Sequence, residues 1–98
     1  MANNIWIQYG GTGTGNWSDI NHWSLGHVPT AAEPAIFNAS SFNGAGQVVT
    51  VNYDHPLCKG MDWSLATNSP KLDLGSIGHL YCYGDVTFIA AMSVSIYY

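Results

Sequence analysis

The sequence predicts an all-β fold arranged as a short β-solenoid-like stack, and three observations carry that prediction. Strand formers and turn formers alternate along the whole chain, with no amphipathic helix of useful length. The apolar pairs Val49/Val51, Leu72/Leu74 and Val94/Ile96, within VVTVN, KLDLG and MSVSI, recur at spacings of 22 to 23 residues. Between them, Leu57-Cys58-Lys59-Gly60 is echoed by Tyr81-Cys82-Tyr83-Gly84, with the two Cys-x-Gly triplets in step at 24. A period of about 20 to 25 residues is that of one solenoid coil, in which like residues stack into ladders. The alternation alone is also what an antiparallel β-sandwich or jelly roll would show, and that is the alternative architecture.

Taken in order, Ile5 to Tyr9 (IWIQY) reads as a first strand, followed by the flexible glycine-rich GGTGTG. Ser18 to Trp23 has the makings of one helical turn, with Ser18 as its cap and Asp19 at the positive end. Pro29 and Pro34 impose extended backbone, so Ala35 to Asn38 reads as a strand and the following NASSFNGAG as a loop. From Gln47 onward short strands are punctuated by Asp, Asn, Gly and Pro turns. The 98 residues thus form one small domain, with an aromatic strand and cap region over 1–38 and stacked β repeats of about 23 residues over 47–98.

Composition removes several function classes. Only 8% of residues are charged, against about 25% in an ordinary soluble domain. The two cations, Lys59 and Lys71, face six acidic residues, and a net charge of −4 without a basic cluster argues against nucleic-acid partners. No apolar run approaches the roughly 20 residues that cross a bilayer, and MANNIWIQYGG lacks the features of a secretory signal. A surface so poor in charge predicts cover by other chains. Two coils are also few for a free-standing stack, and the MSVSIYY strand predicts an uncovered edge that invites pairing. Met92, Val94, Ile96, Tyr97 and Tyr98 are therefore the candidate partner-binding residues.

Candidate chemistry is sparse. Asp54, Asp62, Asp73 and Asp85 each sit beside a turn or on a strand, and no pair has the spacing of a glycosidase couple. His22, His27, His55 and His79 form no zinc signature, and the cysteines make no C-x-x-C. The one conceivable metal set is His55, Cys58, His79 and Cys82. An offset of three switches strand face, however, which separates each His from its Cys, so no metal and no cofactor is expected. Stacked Cys58 and Cys82 would lie about one strand spacing, ~4.8 Å, apart. Two buried thiols are expected rather than a disulfide. There is no G-x-S-x-G elbow and no phosphate loop, so an enzyme is not expected.

Trp17 and Trp23 admit two roles. Exposed, they would form a platform for stacking a sugar ring; buried, they would close one end of the β-stack as a structural cap with Pro29 and Phe37.

The run NWSDINHWSLGHVPTAAEPAIFN resembles a segment of β-repeat bacteriophage virion proteins and bacterial surface proteins, in which N-W-S…W-S leads through a G-x-x-P-T turn into a strand and stacked repeats. Trp17, Trp23, Gly26, Pro29 and Phe37 match that pattern, and Glu33-Pro34 departs from it. The phage branch implies synthesis in the host cytoplasm and incorporation into a particle. The expected function is then a non-enzymatic structural protein of the virion, a capsid decoration (cement) protein acting as a homo-oligomer, a trimer by expectation, against the major capsid protein. The surface-protein branch implies the alternative: an extracellular carbohydrate-binding or adhesive module of a longer chain.

Overall fold

Short apolar-polar alternations broken every few residues by glycine, proline or asparagine can form only short strands, and the ladders follow that grain. The computed structural model describes residues 3–52, 56–75 and 80–95. Ten strands of two or three residues are present among them: β1 (Asn4–Ile5), β2 (Gly15–Asn16), β3 (Pro34–Ile36), β4 (Val48–Thr50), β5 (Leu57–Cys58), β6 (Gly60–Asp62), β7 (Lys71–Asp73), β8 (Tyr81–Cys82), β9 (Val86–Thr87) and β10 (Ser93–Ser95). They form three sheets, ordered β1-β3-β6-β9, β10-β7-β4-β2 and β5-β8. Every pairing between these strands is parallel. The fold is all-β in parallel sheets, and the antiparallel sandwich or jelly roll does not describe it. Among the described residues the antiparallel contacts are two isolated bridges, Trp6 with Trp23 and Tyr9 with Thr12.

The register explains the repeats. Val49 pairs with Leu72 and Leu72 with Val94, while Cys58 pairs with Cys82. Equal spacing in the chain has become equal height in the ladder, so side chains at equivalent positions stack. Inward-facing residues then form columns. Asn4, Ala35, Met61 and Val86 share one. The backbone bonds Trp6 N–H to Ile36 O, Phe37 N–H to Asp62 O and Trp63 N–H to Thr87 O carry the ladder one residue further, which aligns Trp6, Phe37, Trp63 and Phe88. Phe37 and Trp63 stack with centroids 3.7 Å apart and planes 6° from parallel.

Several local expectations are corrected. The first strand is Asn4–Ile5 rather than Ile5 to Tyr9, because Trp6 turns to bridge Trp23 and Tyr9 closes a tight turn on Thr12. That turn uses Gly10 and Gly11 at positive φ, so the glycine-rich segment is structured. The helical turn is a 3-10 turn at Ile20–His22, and its cap is Asp19, whose carboxylate accepts the Asn21 N–H at 3.0 Å. Ser18 is drawn away by Asn52, with which it makes two hydrogen bonds. The loop after β3 is also more than a connection. Phe42 is buried from it and stacks on Trp63, while the Ser41 hydroxyl donates to Trp6 O at 2.6 Å.

Candidate interaction surface

The two ends of the ladders are finished differently. At the β1/β2 end, the segment around the 3-10 turn folds over the sheet edge. His22 O accepts the Ile7 N–H at 2.7 Å, Ser24 N–H donates to Ile5 O at 2.8 Å, and the Ile5 N–H donates to the Ser24 hydroxyl at 2.9 Å. The outer backbone of the first strand is thereby satisfied. Asn4, fully buried, pins the same segment: its amide donates to His27 O at 2.8 Å and its oxygen accepts the Leu25 N–H at 3.2 Å. Glycine at position 15 leaves the place where a side chain would sit, and the His22 ring occupies it, stacked on Trp6 at 4.5 Å.

Trp17 and Trp23 belong to this seal. They are 0% and 1% exposed, meet edge to face at 4.9 Å, and are tied by a hydrogen bond from Trp23 Nε1 to Trp17 O at 2.8 Å. Buried so completely, neither presents a face on which a sugar could stack. Pro29 is buried beside the same segment. Phe37 lies deeper, between the tryptophans of the seal and Trp63.

At the other end the last described rungs of the columns are exposed. Ala35 and Met61 are 0% and 4% exposed, but the next rung, Val86, is 42%. Phe37 and Trp63 are both 0% exposed, and Phe88 beyond them is 46%. Val49 and Leu72 are 0% and 1% exposed, and Val94 is 40%. The outermost strands β8, β9 and β10 belong to this end, where Tyr81 and Tyr83 are also exposed. Among the described residues, a hydrophobic core closed at one end thus ends on half-exposed apolar rungs at the other. Among the partner-binding candidates, Val94 lies on this face and Met92 is half-buried against the core. Ile96, Tyr97 and Tyr98 lie outside the described residues. Val86 and Phe88 were missed as members of the face. Their signal was the recurrence Trp6, Phe37, Trp63, Phe88, whose unequal spacing hides it until the register is known.

Polar candidates stay dispersed. Asp62 and Asp73 accept the N–H groups of Ser64 and Gly75, two residues on, at 2.8 and 2.9 Å, which is ordinary turn chemistry. Asp54, His55 and His79 lie outside the described residues, and no group of three or more metal-ligating side chains occurs among the described ones. Pro34, Ile36, Gly60, Asp62 and Asp85 border an open groove of about 300 Å³. Cys58 and Cys82 are free, with Sγ atoms 3.5 Å apart; Cys58 is buried, but Cys82 is only half-buried, which corrects the expectation of two buried thiols. No helix among the described residues is long and apolar enough to cross a membrane. Comparison with protein-family models, curated proteins and solved structures found no match for this chain.

Proposed function

We propose that this chain is a non-enzymatic structural protein that works by assembly through its β8–β9–β10 end, as a capsid decoration protein of a bacteriophage particle. The observation that carries the reading is the open core. Three columns, buried along their length, end in half-exposed apolar rungs at Val86, Phe88 and Val94. Covering what remains exposed of each side chain contributes on the order of 1 kcal/mol, and the outer edges of β9 and β10, unpaired among the described residues, add backbone hydrogen-bonding capacity.

The parallel register supports a short β-solenoid, each coil adding one rung to every column. In such a stack the sealed β1 edge cannot receive the open edge of another copy. Head-to-tail growth into a fibre is thereby blocked, and the open end meets its own kind around a closed symmetry axis or meets the capsid surface. A closed homo-oligomer, a trimer by expectation, suits a decoration protein. The phage assignment draws on the N-W-S…W-S resemblance and on the 8% charge content, low for a chain that stands alone.

Light scattering on the purified chain tests the assembly. The expected result is an oligomer that Phe88→Asp or Val94→Asp converts to monomer with unchanged circular dichroism, since both side chains are already exposed in the single chain. A wild-type protein that stays monomeric at high concentration contradicts it. The particle assignment is tested at the gene: a neighbouring major capsid or portal gene supports it, and a neighbourhood without particle genes contradicts it.

A further inference from the structure

We propose that Cys58 and Cys82 form a dithiol site that a low-molecular-weight disulfide converts to an intrachain cystine, stapling β5 to β8. The two residues are direct register partners in a parallel ladder, and their sulfurs are 3.5 Å apart. Paired strands set the backbones about 4.8 Å apart, inside the roughly 4.4–6.8 Å Cα separation that a disulfide accepts. Closure brings the sulfurs from 3.5 Å to the roughly 2.05 Å of a disulfide bond.

The corner that follows each cysteine holds this approach in place. A Cβ at Gly60 would run into Asp85 O, and one at Gly84 into Lys59 O, so the paired Cys-x-Gly triplets bring the two backbones into contact. The period-24 echo in the sequence is thus a requirement for the sulfurs to meet as well as a mark of the fold.

Exposure and acidity set the order of events. Cys82 is half-buried and Cys58 is 0% exposed, so an external reagent reaches Cys82 first. The hydrogen bond from the Cys58 thiol also holds the Cys82 thiol below its usual range. Cys58 is pushed up by its hydrogen bond to Cys82, by burial, and by the charge on Cys82. The Cys82 thiolate attacks one sulfur of the external disulfide, forming a mixed disulfide and expelling one thiolate. With Cys82 now neutral, its hydrogen bond and its charge no longer raise Cys58, and burial alone still does. Cys58 gives up its proton and attacks Cys82 Sγ, breaking the mixed disulfide and expelling the second thiolate. Two protein thiols are oxidised, one external disulfide is reduced to two thiols, and the two protons released are carried by those thiols.

The site lies within one chain and stands or falls independently of the assembly reading. To test it, the dilute full-length protein is incubated natively with excess oxidised glutathione, alkylated and analysed by intact mass and non-reducing peptide mapping. The expected product is a single chain, not cross-linked to another, lighter by two hydrogens, with no alkylatable thiol and a peptide pair joining Cys58 to Cys82. Its Tm rises by about 15 °C relative to the reduced form, as expected for closing a loop of this length in a small domain. Cys82→Ser abolishes the rise, and Cys58→Ser halts the reaction at a glutathione adduct on Cys82. Two thiols that remain alkylatable, a wild-type adduct that persists, a cystine between chains, or a bridge without a rise in Tm would each overturn the proposal, and all four are read on the wild-type protein.

Discussion

Two indoles of the same size, six residues apart, have different polar fates. Trp23 Nε1 donates to Trp17 O at 2.8 Å, whereas Trp17 Nε1 is buried without a partner among the described residues, as is Trp63 Nε1. Replacing either of the sealing tryptophans by phenylalanine removes similar volume. Only at Trp23 does it also remove a formed hydrogen bond and strand its acceptor. Trp23→Phe is therefore expected to cost about 1 kcal/mol more than Trp17→Phe, since a buried group left unpaired is what costs most; urea unfolding of the two variants measures the difference. Glu33 supplies a pH dependence at the same scale. Burial alone would raise its carboxyl. Hydrogen bonds from His27 at 2.8 Å, from the Thr30 N–H and from Asn4, together with the nearby imidazole, outweigh burial and hold it below the usual carboxylate range. A carboxyl depressed in the folded state binds fewer protons there than in the unfolded chain. Its contribution is thus present above the unfolded carboxyl pKa of about 4.3 and is lost as pH falls through the lower folded value. Glu33→Gln should flatten that part of the acid limb in urea unfolding followed from pH 5 downward; an unchanged limb contradicts the assignment.

Among the elements, the corners matter more than the strands, which are only two or three residues long. At Gly60 and Gly84 a methyl group would meet a backbone carbonyl of the adjacent layer, which has no freedom to retreat. At Gly44 the nearest atom is the end of the Gln47 side chain at 3.4 Å, an ordinary contact. Gly60→Ala or Gly84→Ala should cost about 2–3 kcal/mol through overpacking, and Gly44→Ala little, in thermal or urea unfolding. These corners also show what could be read in advance. The ladders from Val48, Lys71 and Ser93, and the Cys58–Cys82 pair, were legible because the connections between them have nearly equal length, so period in sequence equals height in the fold. The sheet holding β1, β3, β6 and β9 was not legible in that way. Its rungs are separated by loops of different length, so neither the column Asn4, Ala35, Met61 and Val86 nor the aromatic column Trp6, Phe37, Trp63 and Phe88 recurs at a fixed period. The tandem tryptophans were recognisable as a pair with two possible roles. Choosing between those roles needed their burial, which depends on a segment crossing back over β1 and on packing against Trp6 and Phe37. Asp19 displaced Ser18 as the cap for a non-local reason too: Asn52, 34 residues away, claims the serine.

For the whole molecule, the asymmetry of the two ends is the central fact. One end closes the core with two tryptophans, a buried histidine and a buried asparagine; the other leaves Val86, Phe88 and Val94 half in water. Assembly resolves that imbalance by burying the open rungs, and amide protection should follow. Hydrogen exchange measured across a range of protein concentrations reads this directly. The account predicts that amides of Val86–Thr87 and Ser93–Ser95 gain protection as concentration rises, while those of β3 and β4, inside the sheets, stay protected throughout. Exchange at β9 and β10 that is independent of concentration would contradict it.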